Sequence, residues 1–451
     1  QARQELDVID ASAPLAGVPT LTKDLLIALA GEPLASGSEA LRDFRPAQDA
    51  NLVTRMRASG LVILGQTVTP ELGLMGITEP KAFSHPRNPW QTSHSPGGSS
   101  GGSAVAVAAG MVPFAMASDG GGSIRIPASY CGLFGLKPSR GRMPAGPLEG
   151  PPWHGASLDF ALTRSVRDAA ALLDALNGVD EGALYGVPKE RGFSSALDQE
   201  LPRLRIAVSL GSALSRSLGT RLSAQVVQAV EQAAAELEAL GHRVEWVEPP
   251  VDGALVAHCY LTLYLGQVVA VLEQLSRQLG KPVRQLAIEP ATRALYRMGR
   301  ALPAGDYLRR LNDWNTLARQ MGVFHRRHDV LLMPTTAGAA PQLGELYPSR
   351  TRERLMTQLA IPGLAGLALK ADVLNTLARD ALKATPFTQL ANLTGQPAMS
   401  VPWGSSDRQL PVGVQFVAPL HGERQLLQLA AELEQARPWM PALERVFHRL
   451  A

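Results

Sequence analysis

Residues 97–123 read GGSSGGSAVAVAAGMVPFAMASDGGGS, and this stretch sets what kind of protein the chain can be. A glycine–serine cluster stands at each end, and the residues between the clusters are mostly apolar. Residues 104–109 are predicted to be a helix and residues 114–118 a buried strand. Glycine–serine runs are usually flexible linkers, but linkers do not normally lie inside buried sequence. The two clusters are therefore predicted to be ordered loops at the edge of a core.

Four interpretations of the two loops differ in the chemistry they allow, and a flexible surface loop is the simplest. A phosphate-binding loop would need G-x-x-x-x-G-K-[ST] or G-x-G-x-x-G at a strand–helix junction, and neither pattern stands there. The hydrolase pattern G-x-S-x-G occurs at 97–101, but the strand that should precede it is missing. The fourth interpretation is a serine nucleophile that works without histidine. Ser123 follows three glycines whose amides can converge on an oxyanion, and serine–lysine pairs are a known variant of this chemistry.

Outward from this stretch, apolar periodicity predicts an α/β fold. Residues 205–210 and 243–247 are predicted strands on either side of a strongly patterned helix at 223–240, and this unit favours a parallel or mixed sheet. Residues 253–328 are predicted to be mostly helical, and 1–12 to be the end of a helix. The other predicted elements are helices at 51–59, 166–178 and 424–435, and strands at 61–65, 330–333, 398–401 and 413–417.

Composition excludes several classes of protein. Of 451 residues, 45% are hydrophobic and 18% charged, which excludes an intrinsically disordered chain. The net charge of +3 is too balanced for a dedicated nucleic-acid binder. Cys131 and Cys259 are too few for a disulfide framework, so a reducing compartment is predicted. The longest weakly polar run, 103–118, is too short to span a membrane, and no signal peptide is evident. We expect a cytoplasmic protein with no metal and no cofactor.

Motifs spread along the chain point to one family. They are PLAGVPTLTKD at 14–24, the cluster at 97–103, SDGGGSIRIP at 118–127, CGLFGLKP at 131–138, DVLLMPTT at 329–336, and NLTGQP at 392–397 with GVQ at 413–415. With these motifs the chain resembles the amidase signature family over nearly its whole length, and least over 180–330. The resemblance implies a single domain over 1–451, with one large mixed β-sheet covered by helices on both faces. The catalytic core would lie mainly in 1–205 and 329–451, and a variable, mostly helical substrate-side region in 206–328.

The resemblance also implies a Ser–cis-Ser–Lys triad. Ser123 would be the nucleophile, Ser99 the bridging serine after a cis peptide bond, and Lys23 the base. The predicted oxyanion hole consists of the amides of Gly120, Gly121, Gly122 and Ser123. Structural support is predicted from Gly98, Ser100, Asp119 and Arg125.

Predicted substrate contacts come from two places in the chain. The resemblance places such contacts within 67–83, and from that range we predict Gly73 and Met75. Cys259 is a third predicted contact, with a buried core cysteine as the alternative. The chain departs from the family pattern at 65–68, where it has Gly-Gln-Thr-Val instead of the common Gly-Lys-Thr-Asn.

Lys23 can act as a base only when it is neutral. The ordinary lysine pKa of about 10.4 leaves about 0.1% neutral at pH 7.5, so burial must lower the pKa. The apolar residues around it, such as Leu21 and Leu25, are consistent with burial. Asp24 would oppose the shift, but adjacent side chains of an extended segment point to opposite faces, so we expect Asp24 to point away.

The resemblance implies hydrolysis of a carbon–nitrogen amide bond, with an anilide or a carbamate as further candidates. The sequence of residues 119–142 most resembles that of the oligoamide- and aryl-acylamide-hydrolysing members of the family. The alternatives are an amidotransferase-type subunit and a catalytically silent interaction protein. The expected partner is a small-molecule amide or carbamate, without nucleic acid or membrane, for a monomer or homodimer.

Overall fold

The computed structural model describes residues 9–147, 150–347, 382–406 and 409–450, and ten strands among them form one sheet. The order across the sheet is β2-β1-β3-β5-β4-β9-β10-β8-β6-β7. Numbered along the chain, the strands are β1 (Pro19–Lys23), β2 (Val62–Thr67), β3 (Phe114–Asp119), β4 (Phe134–Lys137), β5 (Leu158–Thr163), β6 (Arg205–Val208), β7 (Arg243–Trp246), β8 (Val330–Pro334), β9 (Ala398–Ser405) and β10 (Pro411–Val417).

The sheet is mixed, which confirms the predicted fold class. At one end β2, β1 and β3 run parallel to one another. The middle of the sheet is antiparallel. It consists of neighbouring pairs in the order β3, β5, β4, β9, β10 and β8. At the other end β8, β6 and β7 are parallel again. The parallel pairing of β6 and β7 is the one that the strand–helix–strand pattern of the sequence favours.

Helices occupy most of the connections between strands. In the described residues the α-helices are α1 (Asn51–Ala58), α2 (Gly101–Ala108), α3 (Arg125–Cys131), α4 (Val166–Leu176), α5 (Phe193–Ala196), α6 (Ala213–Leu218), α7 (Ala224–Ala239), α8 (Gly253–Gln278), α9 (Pro290–Arg300), α10 (Ala304–Phe324), α11 (Gln389–Thr394), α12 (Glu423–Ala436) and α13 (Met440–Leu450).

Both faces of the sheet are covered by helices, as the alternation of side chains along the strands shows. In β6, Ile206 and Val208 belong to a hydrophobic cluster that includes residues of α7 and α12. Ala207 points the other way and belongs to a second cluster, with residues of α8 and α10. In β8, Leu332 joins the first cluster and Leu331 the second. Since successive strand residues face opposite sides, these two clusters are the two layers of the core.

The predicted elements are present with shifted ends. The helix predicted at 104–109 begins earlier, at Gly101, because glycines of low helix propensity hide its first turn in the sequence. The strand predicted at 398–401 continues through Pro402 to Ser405. Of the helix predicted at 1–12, residues 1–8 lie outside the described residues, and 9–12 form no helix.

The segment long and apolar enough to span a membrane is α8, whereas the only run considered from the sequence, at 103–118, is shorter. By length and composition alone, α8 is the one helix of the described residues that could cross a membrane. The buried core helix of a folded domain passes the same test. Here Val256 and Leu263 pack in the second cluster of the sheet, and Leu272 packs in a third cluster with Leu41. These contacts are those of a core helix.

Candidate active site

Lys23 is the last residue of β1, and its side chain is completely buried. Its Nζ donates hydrogen bonds to Ser99 Oγ at 2.7 Å and to Ser118 Oγ at 2.7 Å. Since β1 and β3 are parallel neighbours, their ends place Lys23 beside Ser118. Ser99 comes from the loop that leads into α2. Three segments that are far apart in the sequence therefore meet at one amine.

The electrostatics around Lys23 favour its neutral form. Burial lowers the pKa of Lys23 to about 7, because no water remains to solvate the ammonium. The carboxylates of Asp159, Asp119 and Asp24 act in the opposite direction by Coulombic attraction. The Asp24 carboxylate accepts a hydrogen bond from the Ala35 amide at 2.7 Å, so it is engaged by a neighbouring loop. This contact agrees with the expectation that Asp24 points away from Lys23.

The loop that carries Ser99 is held by close backbone contacts. The Gly98–Ser99 peptide bond is cis, as the resemblance implied. A Cβ atom on Gly98 would lie 2.6 Å from the backbone of Ile77, so only glycine allows this approach. Ser100 Oγ accepts a hydrogen bond from the Ser118 amide and donates one to the Ser118 carbonyl, each at 3.3 Å. Ser100 thus joins the loop to β3 beside Lys23.

Asp119 organises the glycine loop at 120–123. Its carboxylate accepts the Gly122 amide at 2.7 Å and pairs with Arg125 at 2.8 Å, with both side chains fully buried. Burial alone would raise the pKa of Asp119, but attraction to Arg125 and its hydrogen bonds hold it well below the usual range. Asn392 closes the network, since it donates to Asp119 at 2.9 Å and accepts from Arg125 at 2.6 Å.

One member of the predicted oxyanion hole has to be corrected. The Gly122 amide is donated to Asp119, so it is not free to bind a substrate oxygen. The amides of Gly120, Gly121 and Ser123 make no hydrogen bond within the described part of the chain. These three residues also line the cavity described below, so their amides are the available donors.

A cavity of about 620 Å³ opens beside the glycine loop. Ser99, Ser118 and Ser123 lie in its wall. The structure brings Lys23 to Ser99. Ser123 lines the cavity, and in the described residues it forms no hydrogen bond with Ser99. Gly73 and Met75, two of the predicted substrate contacts, also line it. Among the described residues, no cluster of three or more His, Cys, Asp or Glu could hold a metal ion.

The predicted contact at Cys259 is wrong. Cys259 is buried in the second hydrophobic cluster, its Sγ contacts the carbonyl of Arg310 at 3.5 Å, and it does not line the cavity. Burial raises the pKa of its thiol to about 12. Tyr260 and Tyr264 line the cavity instead. Each residue of a helix is rotated by about 100° from the last, so in α8 the tyrosines face the cavity while Cys259 faces α10.

Comparison with known proteins identifies the family. The amidase family model matches residues 1–427. The chain belongs to the amidase family. A cyclic-dimer hydrolase of 6-aminohexanoate from Pseudomonas sp. (strain NK87) is 36% identical over 456 residues, which cover 98% of this chain and 86% of that protein. The resemblance inferred from the motifs is therefore confirmed.

Solved amidase structures share the whole fold. A 6-aminohexanoate cyclic dimer hydrolase complexed with substrate superposes with a TM-score of 0.86 at 34% identity, over 99% of this chain and 90% of that one. A bacterial aryl acylamidase of the amidase signature family superposes with a TM-score of 0.82 at 27% identity, over 99% and 89%. The large mixed sheet and its helical layers are thus those of amidase signature enzymes.

Sequence reasoning about this family member missed three residues of the site. Ser118 stands in the quoted motif, but its contact with Lys23 depends on the pairing of β1 and β3. Asn392 belongs to the NLTGQP motif, which by itself assigns it no role. Tyr260 follows Cys259 in the sequence, and its rotation around the helix relative to Cys259 is the signal that could have identified it.

Proposed function

We propose that this chain hydrolyses a carbon–nitrogen amide bond through an acyl-enzyme, with Ser123 as nucleophile, Ser99 as bridging serine and Lys23 as base. The observation that carries the proposal is the buried Lys23 amine, 2.7 Å from Ser99 at the wall of the cavity that Ser123 also lines. With its pKa lowered to about 7, a large fraction of this lysine is neutral at physiological pH. The more general conclusion, that the chain is an amide-hydrolysing enzyme, rests on its membership of the amidase family and on its relatives.

The proposed acylation step moves one proton along the three residues. Ser123 Oγ forms a bond to the carbonyl carbon, and the carbonyl π electrons move to the oxygen. The Ser123 proton passes to Ser99, whose own proton passes to neutral Lys23. When the tetrahedral intermediate collapses, the carbon–nitrogen bond breaks and a proton returns through Ser99 to the leaving amine. Water repeats the sequence on the acyl-enzyme, which releases the acid and restores Ser123. The Ser99 and Ser123 hydroxyls are not hydrogen-bonded to each other in this structure. In the proposal, they form that hydrogen bond when the substrate binds.

The free amides of the glycine loop would stabilise the oxyanion. Amide donors about 2.7–3.1 Å from the developing charge lower the barrier to acyl transfer. Gly120, Gly121 and Ser123 supply these donors in the proposal, and Asp119 keeps the loop in shape by holding the Gly122 amide.

The cavity supports a small, largely apolar amide as substrate. Its wall is mostly aliphatic and aromatic, for example Leu74, Leu265 and Tyr264, with few charged groups. The relatives are named for a cyclic oligoamide and for aryl acylamides. We therefore propose a linear or cyclic oligoamide or an anilide, with aryl carbamates as the alternative class. Further parts of the proposal are that the enzyme works without metal, nucleic acid or membrane, as a cytoplasmic monomer or homodimer.

A fluorophosphonate probe with a hydrolysis panel tests this proposal. The wild-type enzyme should be labelled on one serine and should cleave members of a panel of anilides, linear amides and aryl carbamates. Ser123→Ala should lose labelling and at least about 1,000-fold of turnover. Ser100→Ala is the matched control, because it removes a neighbouring buried hydroxyl outside the proposed relay; it should keep labelling and most activity, with lower stability.

The alternatives have their own outcomes in the same experiment. A catalytically silent interaction protein would show neither labelling nor turnover in the wild type. Labelling and turnover that survive in Ser123→Ala and disappear in Ser100→Ala would remove Ser123 from the mechanism.

A further inference from the structure

Three aromatic side chains form a wall of the cavity beside the glycine loop. Trp153, Tyr260 and Tyr264 form it, and all three line the cavity. The Trp153 ring meets Tyr264 edge-on at a centroid distance of 5.6 Å, and the two tyrosine rings stack at 6.4 Å. The tyrosines are one helical turn apart on α8, so the same face of the helix carries both rings.

The hydroxyl of Tyr260 lies directly against the glycine loop. A Cβ atom built on Gly121 would overlap the Tyr260 hydroxyl oxygen, so the phenol occupies the space that a side chain at position 121 would take. Gly121 also supplies one of the amides that are free to bind an oxyanion. A carbonyl oxygen held about 2.9 Å from that amide can lie within hydrogen-bonding distance of the phenol, because both groups adjoin the same Cα atom.

The two tyrosine hydroxyls differ in their partners. Tyr264 donates to the carbonyl of Leu74 at 2.8 Å, so its hydroxyl is satisfied within the protein. The Tyr260 hydroxyl has no hydrogen-bond partner among the described residues, although the residue is only 8% exposed. Tyr260 lines the cavity, so its hydroxyl is open to a group bound there. A bound substrate is the group that would satisfy it.

Resting on the function proposed above, we infer that the Tyr260 hydroxyl donates a hydrogen bond to the substrate carbonyl oxygen as it becomes the oxyanion. This hydroxyl would be an additional donor beside the amides of Gly120, Gly121 and Ser123. It would replace the Gly122 amide, which is unavailable because it donates to the Asp119 carboxylate. The phenol keeps its proton in this step, and the proton of Ser123 still travels to Lys23 through Ser99. Burial raises the pKa of Tyr260 above its ordinary value, so the phenol remains a neutral donor at the pH at which Lys23 is active.

Replacement of Tyr260 by phenylalanine is the direct test, with kcat and KM measured on an anilide that the wild type cleaves. Loss of a single oxyanion donor lowers kcat by about 100-fold or more, so Tyr260→Phe should show this loss with KM within about twofold. The affinity for a trifluoromethyl ketone, which forms a tetrahedral oxyanion adduct with a serine, should fall by the same factor as kcat/KM. The melting temperature should stay the same or rise, since no buried partner is left unsatisfied.

Two other tyrosines supply the controls. Tyr185→Phe removes an exposed phenol away from the cavity and should leave kcat and inhibitor affinity unchanged. Tyr264→Phe leaves the Leu74 carbonyl without its donor, so it should lower the melting temperature and act mainly on KM. A Tyr260→Phe enzyme with wild-type kcat would overturn the inference, and so would a fall in kcat without weaker ketone binding. Absence of turnover in the wild type would overturn the proposed function instead, so the two failures are distinguishable.

Discussion

At the scale of single residues, Lys23 carries a shifted pKa that should appear in the kinetics. Only its neutral form can accept the proton of Ser99, and burial lowers its pKa to about 7. The value of kcat/KM should therefore rise with pH through one ionisation near 7 and level off on the alkaline side. Lys23→Met, which keeps the shape and removes the amine, should lose most of the amide turnover, and its residual rate should not show that ionisation. A pH–rate profile of both enzymes measures this.

Lys137 supplies the matched control for Lys23. It is equally buried, burial lowers its pKa to about 7 as well, and its Nζ donates to the Pro138 carbonyl at 2.8 Å. It does not line the cavity. Lys137→Met should therefore retain the ionisation seen in the wild-type profile. If the ionisation near 7 disappeared in Lys137→Met and persisted in Lys23→Met, Lys23 would not be the base.

At the scale of elements, the loop before α2 depends on a close approach between two backbones. A Cβ atom on Gly98 would lie 2.6 Å from the backbone of Ile77, which cannot move aside as a side chain can. Gly98→Ala should therefore displace Ser99 from Lys23. We expect a loss of about 1–3 kcal/mol in the free energy of unfolding and a fall of at least about tenfold in kcat.

Chemical denaturation and steady-state kinetics of two glycine variants check this expectation. Gly65→Ala is the control, since a Cβ atom there would meet only Leu21 Cδ2 at an ordinary 3.7 Å. Similar small effects of both substitutions would mean that the loop tolerates a side chain at position 98. In that case the backbone contact with Ile77 does not position Ser99.

Helix α8 shows how one element separates function from packing. Cys259 packs in the hydrophobic core, while Tyr260, the next residue, lines the cavity.

The Asp119–Arg125–Asn392 network connects several elements. It joins the end of β3 and the start of α3 to α11, which lies in the C-terminal part of the sequence. The site is thus stabilised by segments from both halves of the sequence.

At the scale of the whole molecule, the buried lysine links stability to pH. The unfolded chain keeps Lys23 protonated up to about pH 10.4, while the folded protein releases the proton near pH 7. Between these values the unfolded state binds more protons, so raising the pH favours the folded state. The cost of the buried amine is greatest below pH 7, at up to about 5 kcal/mol, and it disappears above the unfolded pKa.

Lys23→Met should therefore be more stable than the wild type at pH 7, and the difference should shrink at pH 9. Urea unfolding of both proteins at the two pH values measures the change in the free energy of unfolding. The comparison between the two proteins removes the contribution of Lys137, which is common to both. A difference that does not vary with pH would show that Lys23 keeps an ordinary pKa in the folded protein.

Many strands and helices were predictable from the periodicity of the local sequence, but β1, β4 and β5 were not, and the mixed sheet and the three residues of the proposed triad were implied by the resemblance to one family. Strand and helix periodicity is a property of neighbouring residues, and the glycine–serine loops are short continuous motifs that resemble one family. The sequence therefore indicated Lys23, Ser99 and Ser123 together, although they are separated by 76 and 24 positions.

Only the tertiary structure decided which atoms of the site are free and which are occupied. The Gly122 amide looks identical to its neighbours in the sequence, and its loss to Asp119 depends on how the loop turns. Lys23 contacts Ser118, 95 positions later in the sequence, because β1 and β3 are neighbouring strands. The rotation of α8 in the packed core directs Tyr260, and not Cys259, towards the cavity. Hydrogen bonds are short and directional, so contacts between distant segments follow from the final packing of the elements and not from the pattern within any one of them.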